Sequence, residues 1–551
     1  MLDRFVSRSY LAVLLIVSSL TSCDDQPITA TYHGGIRALV EANCVVCHKE
    51  GGIGPFSLDD PDTVQLLASS LVDEVEARRM PPWGMNPDCR EVTDSIRLSD
   101  REVAAFAQWR DAGFPAGQPD DYRPPDPDDV LTTGTVESQL GPADLVLAPD
   151  QPYTPDTARP DDYRCIPLPH SIDRDLFVNA VDVIPDKLDL VHHVIVYAVP
   201  EADVPAMEAL DAADPGPGFN CFGDAGVASA DAVGGWVPGD NNGGASREIA
   251  MRVSRGSRLV TQMHYNVAGR QNDDLPGDAT SVALWFLEEG QYPAYLITSL
   301  WIPNNDLFIP AGDKNSVQMA TMRLPVDGYA VAVSPHMHLL GKRIKTEVIR
   351  ENGAIECLGQ VDDWDFNWQR TYEFPEHAFV PIDISDRIRL TCEYDNSPAN
   401  QPVVNGEQKE PRDVTWGEGT LDEMCLDSLI VLTPFRGRGE TGVCAGFRDC
   451  FDDCGKGRPF CALACMTAAS SACLNCGTQG LFGSCATDTC PTERQSIDRC
   501  LATCPGGDSD YFECLYSACR NQFQSYYDCV EPTLRSGSCA GDFANCQGVT
   551  P

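Results

Sequence analysis

The chain has 551 residues and a formal net charge of −42, with 40 Lys and Arg against 82 Asp and Glu. A balance this acidic argues against nucleic acid and anionic lipid surfaces as partners, and spread along the chain it reads as a solvated surface. The length predicts about three domains, and 25 cysteines place them in an oxidising compartment, where disulfides persist.

Residues 1–23 begin with Arg4 and Arg8, continue through an apolar run from Leu11, and end in Leu20-Thr21-Ser22-Cys23. The run suits a secretory signal and is too short for a bilayer, which needs roughly 20 apolar residues. Its end resembles a bacterial lipoprotein cleavage box. That resemblance implies a lipid anchor at Cys23 and a chain exported to the periplasmic or cell-surface face of a Gram-negative membrane.

The next segment, 31–117, carries Cys44-Val45-Val46-Cys47-His48. Two thiols at this spacing add across the vinyl groups of one haem, and the adjacent His48 supplies an axial nitrogen to the iron. No second cysteine pair lies nearby to complete a zinc site. Residues 39–43 and a stretch from Leu98 to Trp109 with Ser99 as N-cap predict helices, the pattern of a small all-α cytochrome c domain. Met80, followed by two prolines, is the sixth-ligand candidate, with Met85 and His33 as competitors. Residues 118–135 are rich in Pro and Asp and predict an extended linker.

From 136 to 437, short β-branched and aromatic runs broken by Gly, Pro and Asp predict antiparallel sandwiches; examples are Val191–Val199, Arg258–Val267, Gly328–Ser334 and Ile382–Tyr394. The chain has only nine histidines, and here they cluster as His192-His193, as His264, and as His336-Met337-His338. Neutral imidazole suits copper, zinc or iron. On a strand His336 and His338 face the same way and can chelate together. Adjacent His192 and His193 reach one metal only where the strand ends or bulges.

His192-His193, Gln262-Met263-His264-Tyr265, His336-Met337-His338-Leu339-Leu340-Gly341-Lys342 and Gly419-Thr420-Leu421-Asp422-Glu423-Met424-Cys425 resemble, in that order, the type II ascorbate-dependent copper monooxygenases. The resemblance implies two eight-stranded, jelly-roll-like sandwich domains, at 136–290 and 291–437, each holding one copper and facing the other across a solvent cleft. It implies an electron-transfer copper on His192, His193 and His264, and an oxygen-binding copper on His336, His338 and Met424. Tyr163 and Gln262 fall where the family has a Tyr and a Gln near the first site. It also implies disulfides Cys165–Cys221 and Cys392–Cys425, and leaves Cys89 and Cys357 unassigned. Three positions depart from the peptide-amidating members: Ser334 stands where they have an Arg, and Leu426 and Ser428 where they have an Asn and a Tyr. A peptide ending in glycine is therefore not the expected substrate.

Residues 438–551 hold 16 cysteines, several spaced Cys-x3-Cys, as in Cys450/Cys454, Cys461/Cys465 and Cys500/Cys504. That spacing puts both thiols on one helix face, so facing helices can be stapled by paired disulfides. A helical, disulfide-rich module is expected, with zinc binding as the runner-up. Together these features predict an exported copper monooxygenase that hydroxylates a C–H bond of a small-molecule or peptide-like substrate with dioxygen. Electrons would come from ascorbate or a periplasmic donor, through the fused haem c. The alternative is a non-catalytic haem/copper electron-transfer or copper-binding lipoprotein.

Overall fold

The computed structural model describes residues 28–49, 56–125 apart from 94, 140–435 apart from short gaps of which 238–247 is the longest, and much of 444–539. Residues 1–27, with Cys23, and residues 126–135 lie outside the described residues. The part of the expected extended linker that is described instead makes a 3-10 turn at Pro119–Asp121 and packs on residues 37–41, where the Tyr122 hydroxyl bonds to Glu41 and Arg37 lies over its ring. No described helix is long and apolar enough to cross a membrane. The described residues form two compact units, one from the stretches up to 45, 56–81 and 98–130, the other from 46–55, 82–97 and 131 onward.

Three helices build the first unit. Helix α1 (Ile36–Asn43) buries Ile36, Val40 and Ala42 on one face. Helix α2 (Pro61–Glu76) starts where the Asp60 side chain accepts from the Asp62 and Thr63 N–H groups, with Pro61 in the first turn. Its buried Val64, Ala68, Leu71, Val72 and Val75 keep the helical period. Helix α3 (Asp100–Asp111) begins with the expected Ser99 cap, here a full capping box with Glu102. Trp109 is fully buried, and its Nε1–H donates to the Pro115 carbonyl at 3.1 Å.

The second unit is mostly β-sheet. Its first strands are β1 (Leu145–Leu147), β2 (Asp161–Ser171), β3 (Leu176–Ile184), β4 (Val191–Val199), β5 (Phe219–Asn220), β6 (Asp231–Trp236), β7 (Ile249–Val253), β8 (Arg258–Asn266) and β9 (Ser281–Phe286). Then come β10 (Tyr295–Pro303), β11 (Phe308–Ile309), β12 (Ser316–Met322), β13 (Gly328–His336), β14 (Gly341–Ile349), β15 (Ile355–Val361), β16 (Tyr372–Glu373) and β17 (Val380–Ile382). The last are β18 (Arg387–Tyr394), β19 (Val403–Val404), β20 (Glu407–Gln408), β21 (Val414–Thr415) and β22 (Leu426–Pro434). The run expected from Ile382 to Tyr394 is broken into β17 and β18 by a turn in which the Asp386 N–H donates to the Asp383 carbonyl at 2.8 Å and the Asp383 N–H to the Asp386 carboxylate at 3.1 Å. Asp side chains compete with the ladder in this way.

One nine-stranded sheet has the order β1-β9-β3-β7-β10-β22-β13-β16, with β17 also on β13, and draws its strands from Leu145 to Pro434. A five-stranded sheet, β5-β2-β8-β4-β6, and a four-stranded sheet, β12-β18-β14-β15, complete two sandwiches. The first core packs Leu168, Val194, Leu259 and Met263 against Val178, Val183, Val282 and Leu284. The second packs Ile344, Val348, Leu358 and Leu390 against Ala330, Val333, Leu429 and Val431. Strand β18 shows the cause: Ile388, Leu390, Cys392 and Tyr394 are buried while the residues between them are not.

The resemblance implied two eight-stranded sandwiches. Here each sandwich takes nine strands, and the long sheet is common to both. The link is the parallel pair β7 and β10, with Tyr295 opposite Ile249 and Leu296 opposite Ala250. Phe177, Ala250, Leu287, Leu296 and Phe435 form a buried cluster at this junction.

Residues 82–97 pack on the second sandwich. The Asn86 N–H donates to the Gln360 carbonyl at 2.7 Å and the Thr93 N–H to the Glu373 carbonyl at 2.8 Å. Arg90 pairs with Glu356 at 2.6 Å, and Cys89 is bonded to Cys357, which settles the two cysteines left unassigned. The implied bridges Cys165–Cys221 and Cys392–Cys425 are also present.

One helix, α4 (Val204–Ala213), lies between β4 and β5, and the tail is helical, with α5 (Pro459–Ala469), α6 (Ser471–Leu481), α7 (Ser484–Thr489), α8 (Pro491–Leu501) and α9 (Arg520–Arg535). Cys450 and Cys454 bond to Cys465 and Cys461. Cys500 and Cys504 bond likewise to Cys519 and Cys514. Both are the double staples that Cys-x3-Cys spacing predicts. Phe523, Tyr526 and Val530 of α9 fill the space between helices.

Candidate metal centre

The first cluster forms where β4 bulges. Val191 lies opposite Tyr265 on β8 but His193 lies opposite His264, so His192 is an extra residue in the ladder. A bulge of this kind turns adjacent side chains toward one side. His193 Nδ1 is 3.4 Å from His192 Nδ1 and 3.3 Å from His264 Nδ1. Nitrogens bound to one ion at roughly 2.0–2.1 Å sit about 3.3–3.6 Å apart in tetrahedral or trigonal geometry, so these three Nδ1 atoms fit a shared metal. The far side of His264 is fixed: its Nε2 is 2.9 Å from the Asp161 carboxylate, and Tyr163 stacks on its ring at 4.1 Å. A carboxylate on the second ring nitrogen sets the tautomer and leaves the Nδ1 lone pair free for an ion.

The second cluster lies at the end of β13. His336 is opposite Leu426 of β22, and continuing that antiparallel register sets His338 against Met424. The His336 and His338 rings are 5.1 Å apart. His336 Nδ1 is 2.7 Å from Gln369 Oε1, and His338 Nδ1 is 3.2 Å from the Asp422 carbonyl. Each Nδ1–H donates to its oxygen, which leaves both Nε2 atoms as lone-pair donors. Fully buried Glu423 holds the turn: its two oxygens accept from the His338 N–H at 2.9 Å and the Leu340 N–H at 2.6 Å. Burial pushes this carboxyl up to about 8 against the pull of those backbone donors. Next to it, buried Met424 is pinned by the Tyr394 hydroxyl, which donates to its carbonyl at 2.7 Å, and by the Cys392–Cys425 bridge.

Both clusters open on one cavity of about 520 Å³, lined by His193, Gln262, His336, His338 and Met424 among others. The resemblance implied a solvent cleft between the sites; here the Phe366 ring stands in the gap. It stacks on His192 at 5.1 Å and meets His338 edge-on at 5.9 Å. Ser334, one of the positions that depart from the implied family pattern, donates its N–H to the Asp427 side chain at 2.9 Å. Nearby, the Ser428 and Ser299 hydroxyls bond to each other.

Burial pushes His192 down to about 4, with His336 adding to the effect, and His338 down to about 3. His193 and His264 go well below the ordinary imidazole range for the same reason. The imidazoles are therefore neutral at pH 7 and ready to bind a cation, with no proton to displace. Copper affinity of the metal-free protein, measured by chelator competition, should change little between pH 8 and pH 5.5 and fall below about pH 4.5. Three ordinary imidazoles titrating near 6.5 would give a steep fall already between pH 6.5 and 5.5, and that result would contradict the buried cluster.

Residues 302–432 match the family model described as copper type II ascorbate-dependent monooxygenase, C-terminal domain. His336, His338 and Met424 fall within that matched span. Among curated proteins, the human Putative DBH-like monooxygenase protein 2 is 22% identical over 278 residues, 47% of this chain and 49% of that protein. The chain thus spans about half the length of that relative. Among solved structures, allantoicase from Saccharomyces cerevisiae gives a TM-score of 0.14 at 8% identity, covering 50% of this chain and 78% of its own. The VP2 subviral particle of infectious bursal disease virus gives 0.16 at 9%, covering 52% and 70%. Superpositions this poor define no common fold.

Cys44 to His48, the residues expected to bind haem, begin at the end of α1, where the Cys44 N–H donates to the Val40 carbonyl at 2.9 Å. Cys44 and Cys47 keep their thiols; every other described cysteine is disulfide-bonded. Burial pushes the Cys47 thiol up, against the Lys49 and Arg370 charges. Met80 is 43% exposed. Its competitor Met85 is buried in the second sandwich core, with its sulfur accepting the Gln360 N–H at 3.4 Å. His33 has a buried Nδ1 without a hydrogen-bond partner. Asp161, Gln369, Phe366 and Glu423 escaped the sequence reading as parts of the metal centre. Glu423 sits inside a quoted motif, yet only the folded turn shows which N–H groups it serves.

Proposed function

We propose that the chain is an exported copper-dependent monooxygenase that hydroxylates a C–H bond with dioxygen, using electrons from ascorbate or a periplasmic donor. The observation that carries this reading is the pair of buried, neutral donor sets opening on one cavity, three imidazole Nδ1 atoms in one and two imidazoles with a thioether in the other. His192, His193 and His264 would hold one copper, and His336, His338 and Met424 the other. Copper bound there would supply one-electron storage at the first set and dioxygen reduction at the second; a thioether beside two imidazoles favours Cu(I). The protein's own part is orientation. Asp161, Gln369 and the Asp422 carbonyl fix the tautomers, Glu423 fixes the backbone of the second set, and burial keeps every imidazole unprotonated.

A covalent haem c on Cys44 and Cys47, with His48 and Met80 as axial ligands, belongs to the same proposal as the electron feed. The retention of two thiols in an otherwise bridged set of described cysteines supports it. Lipid anchoring through Cys23 at the periplasmic or cell-surface face completes the reading. The test is oxygen uptake by ascorbate-reduced full-length protein, with metal and haem counted per chain. Two coppers, one haem and uptake that disappears on chelation are expected. Uptake indifferent to copper removal would sink the proposal.

A further inference from the structure

One side chain in the shared cavity has no work in holding metal. Arg370 lines the cavity one residue after Gln369, whose carbonyl oxygen fixes His336. It is 8% exposed, and its Nε is buried without a hydrogen-bond partner. The Trp83 ring covers one face of the guanidinium, 4.9 Å from its centre, which holds the fork in place and leaves its N–H edge available. The other charged lining residue, Glu373, is exposed, so it is not a buried counter-charge. A buried guanidinium is costly unless its donors are satisfied by an anion.

Across the same cavity, Asn179 on β3 presents a buried Oδ1 that also lacks a partner. Between these two polar atoms the wall is largely apolar, with Val181, Trp236, Ile297, Trp301, Phe374 and Phe379 contributing. A few polar groups set in an apolar wall are the pattern of a small-molecule site.

We propose that Arg370 anchors the carboxylate of the molecule on which this site acts, with Asn179 Oδ1 accepting a hydroxyl or N–H of the same molecule. The ligand class is a carboxylic acid with an apolar body. Arg370 thereby decides which molecules reach the space beside His336, His338 and Met424. This assignment rests on the monooxygenase reading for what happens to the bound acid, and not for the binding itself.

The test is calorimetric titration of the full-length protein at pH 7 with phenylacetate, 4-phenylbutyrate and octanoate, each against its primary amide. At least one acid should bind about tenfold or more tightly than its amide, as expected for a charge-assisted pair. Arg370→Gln should remove that advantage and leave amide binding unchanged, and Arg370→Lys should keep part of it. The acid–amide comparison on the unaltered protein stands even if Arg370→Gln does not fold. Equal binding of every acid and amide, or an acid preference that survives Arg370→Gln, overturns the assignment. An acid preference seen only in Cys44→Ala/Cys47→Ala also overturns it, because Arg370 would then be serving a haem propionate. Oxygen uptake is recorded in parallel. Acid binding without uptake removes the monooxygenase reading alone, and uptake without acid preference removes the Arg370 assignment alone.

Discussion

His338→Ala is expected to lower oxygen uptake by copper-loaded, ascorbate-reduced protein by more than about a hundredfold, since loss of an outer-shell group alone costs 10–100-fold. The ring is 2% exposed and its Nδ1–H is committed to the Asp422 carbonyl, so no other nitrogen can replace its Nε2. The neighbouring donors, His336 and Met424, would be left as a two-point set too weak to keep the ion through dialysis. Copper per chain, measured by atomic absorption, should fall from two toward one. Gln369→Ala should retain the ion but bind it more weakly, because the His336 ring loses its fixed tautomer. His264→Ala should also bring copper from two toward one, while sparing the second set. Uptake within a few-fold of the parent in His338→Ala would show that the second cluster is not where oxygen is consumed.

Glu423→Ala is expected to be among the most destabilising single changes in the sandwiches. The carboxyl group is fully buried, and its two oxygens accept the N–H groups of His338 and Leu340 at 2.9 and 2.6 Å. Removing it strands those donors in a dry interior, at about 1–3 kcal/mol each, and opens a cavity as well. A loss of several kcal/mol should appear as an earlier thermal transition. Weaker copper retention should accompany it, since the His338 turn is what the carboxyl group ties. Glu423→Gln should recover only part of the loss, because an amide offers one acceptor oxygen where two are used. A transition unmoved in Glu423→Ala would mean that the turn is held by other contacts.

Much of this architecture was legible in the chain itself. Strand β4 was read at its observed limits, and the need for a bulge at His192-His193 followed from period-two geometry alone. The α3 cap and the doubly stapled hairpins of the tail were visible for the same kind of reason, since spacing fixes which side chains share a face. The junction of β7 and β10 was not legible. It is a parallel pairing between distant segments, and nothing in either segment names its partner. Phe366 and Arg370 were also hidden, because a loop side chain acquires its role only from where the flanking strands place it. Met85 shows the converse: its residue type and its place near Met80 made it a competing iron ligand, and packing makes it core.

The β7–β10 junction also bears on motion. Opening a hinge between the two sandwiches would break the parallel pairing of Ile249 and Ala250 with Tyr295 and Leu296 and expose Phe177, Leu296 and Phe435. The two sandwiches that carry the donor sets thus share one continuous sheet, and the distance between the sets belongs to the frame, not to a joint.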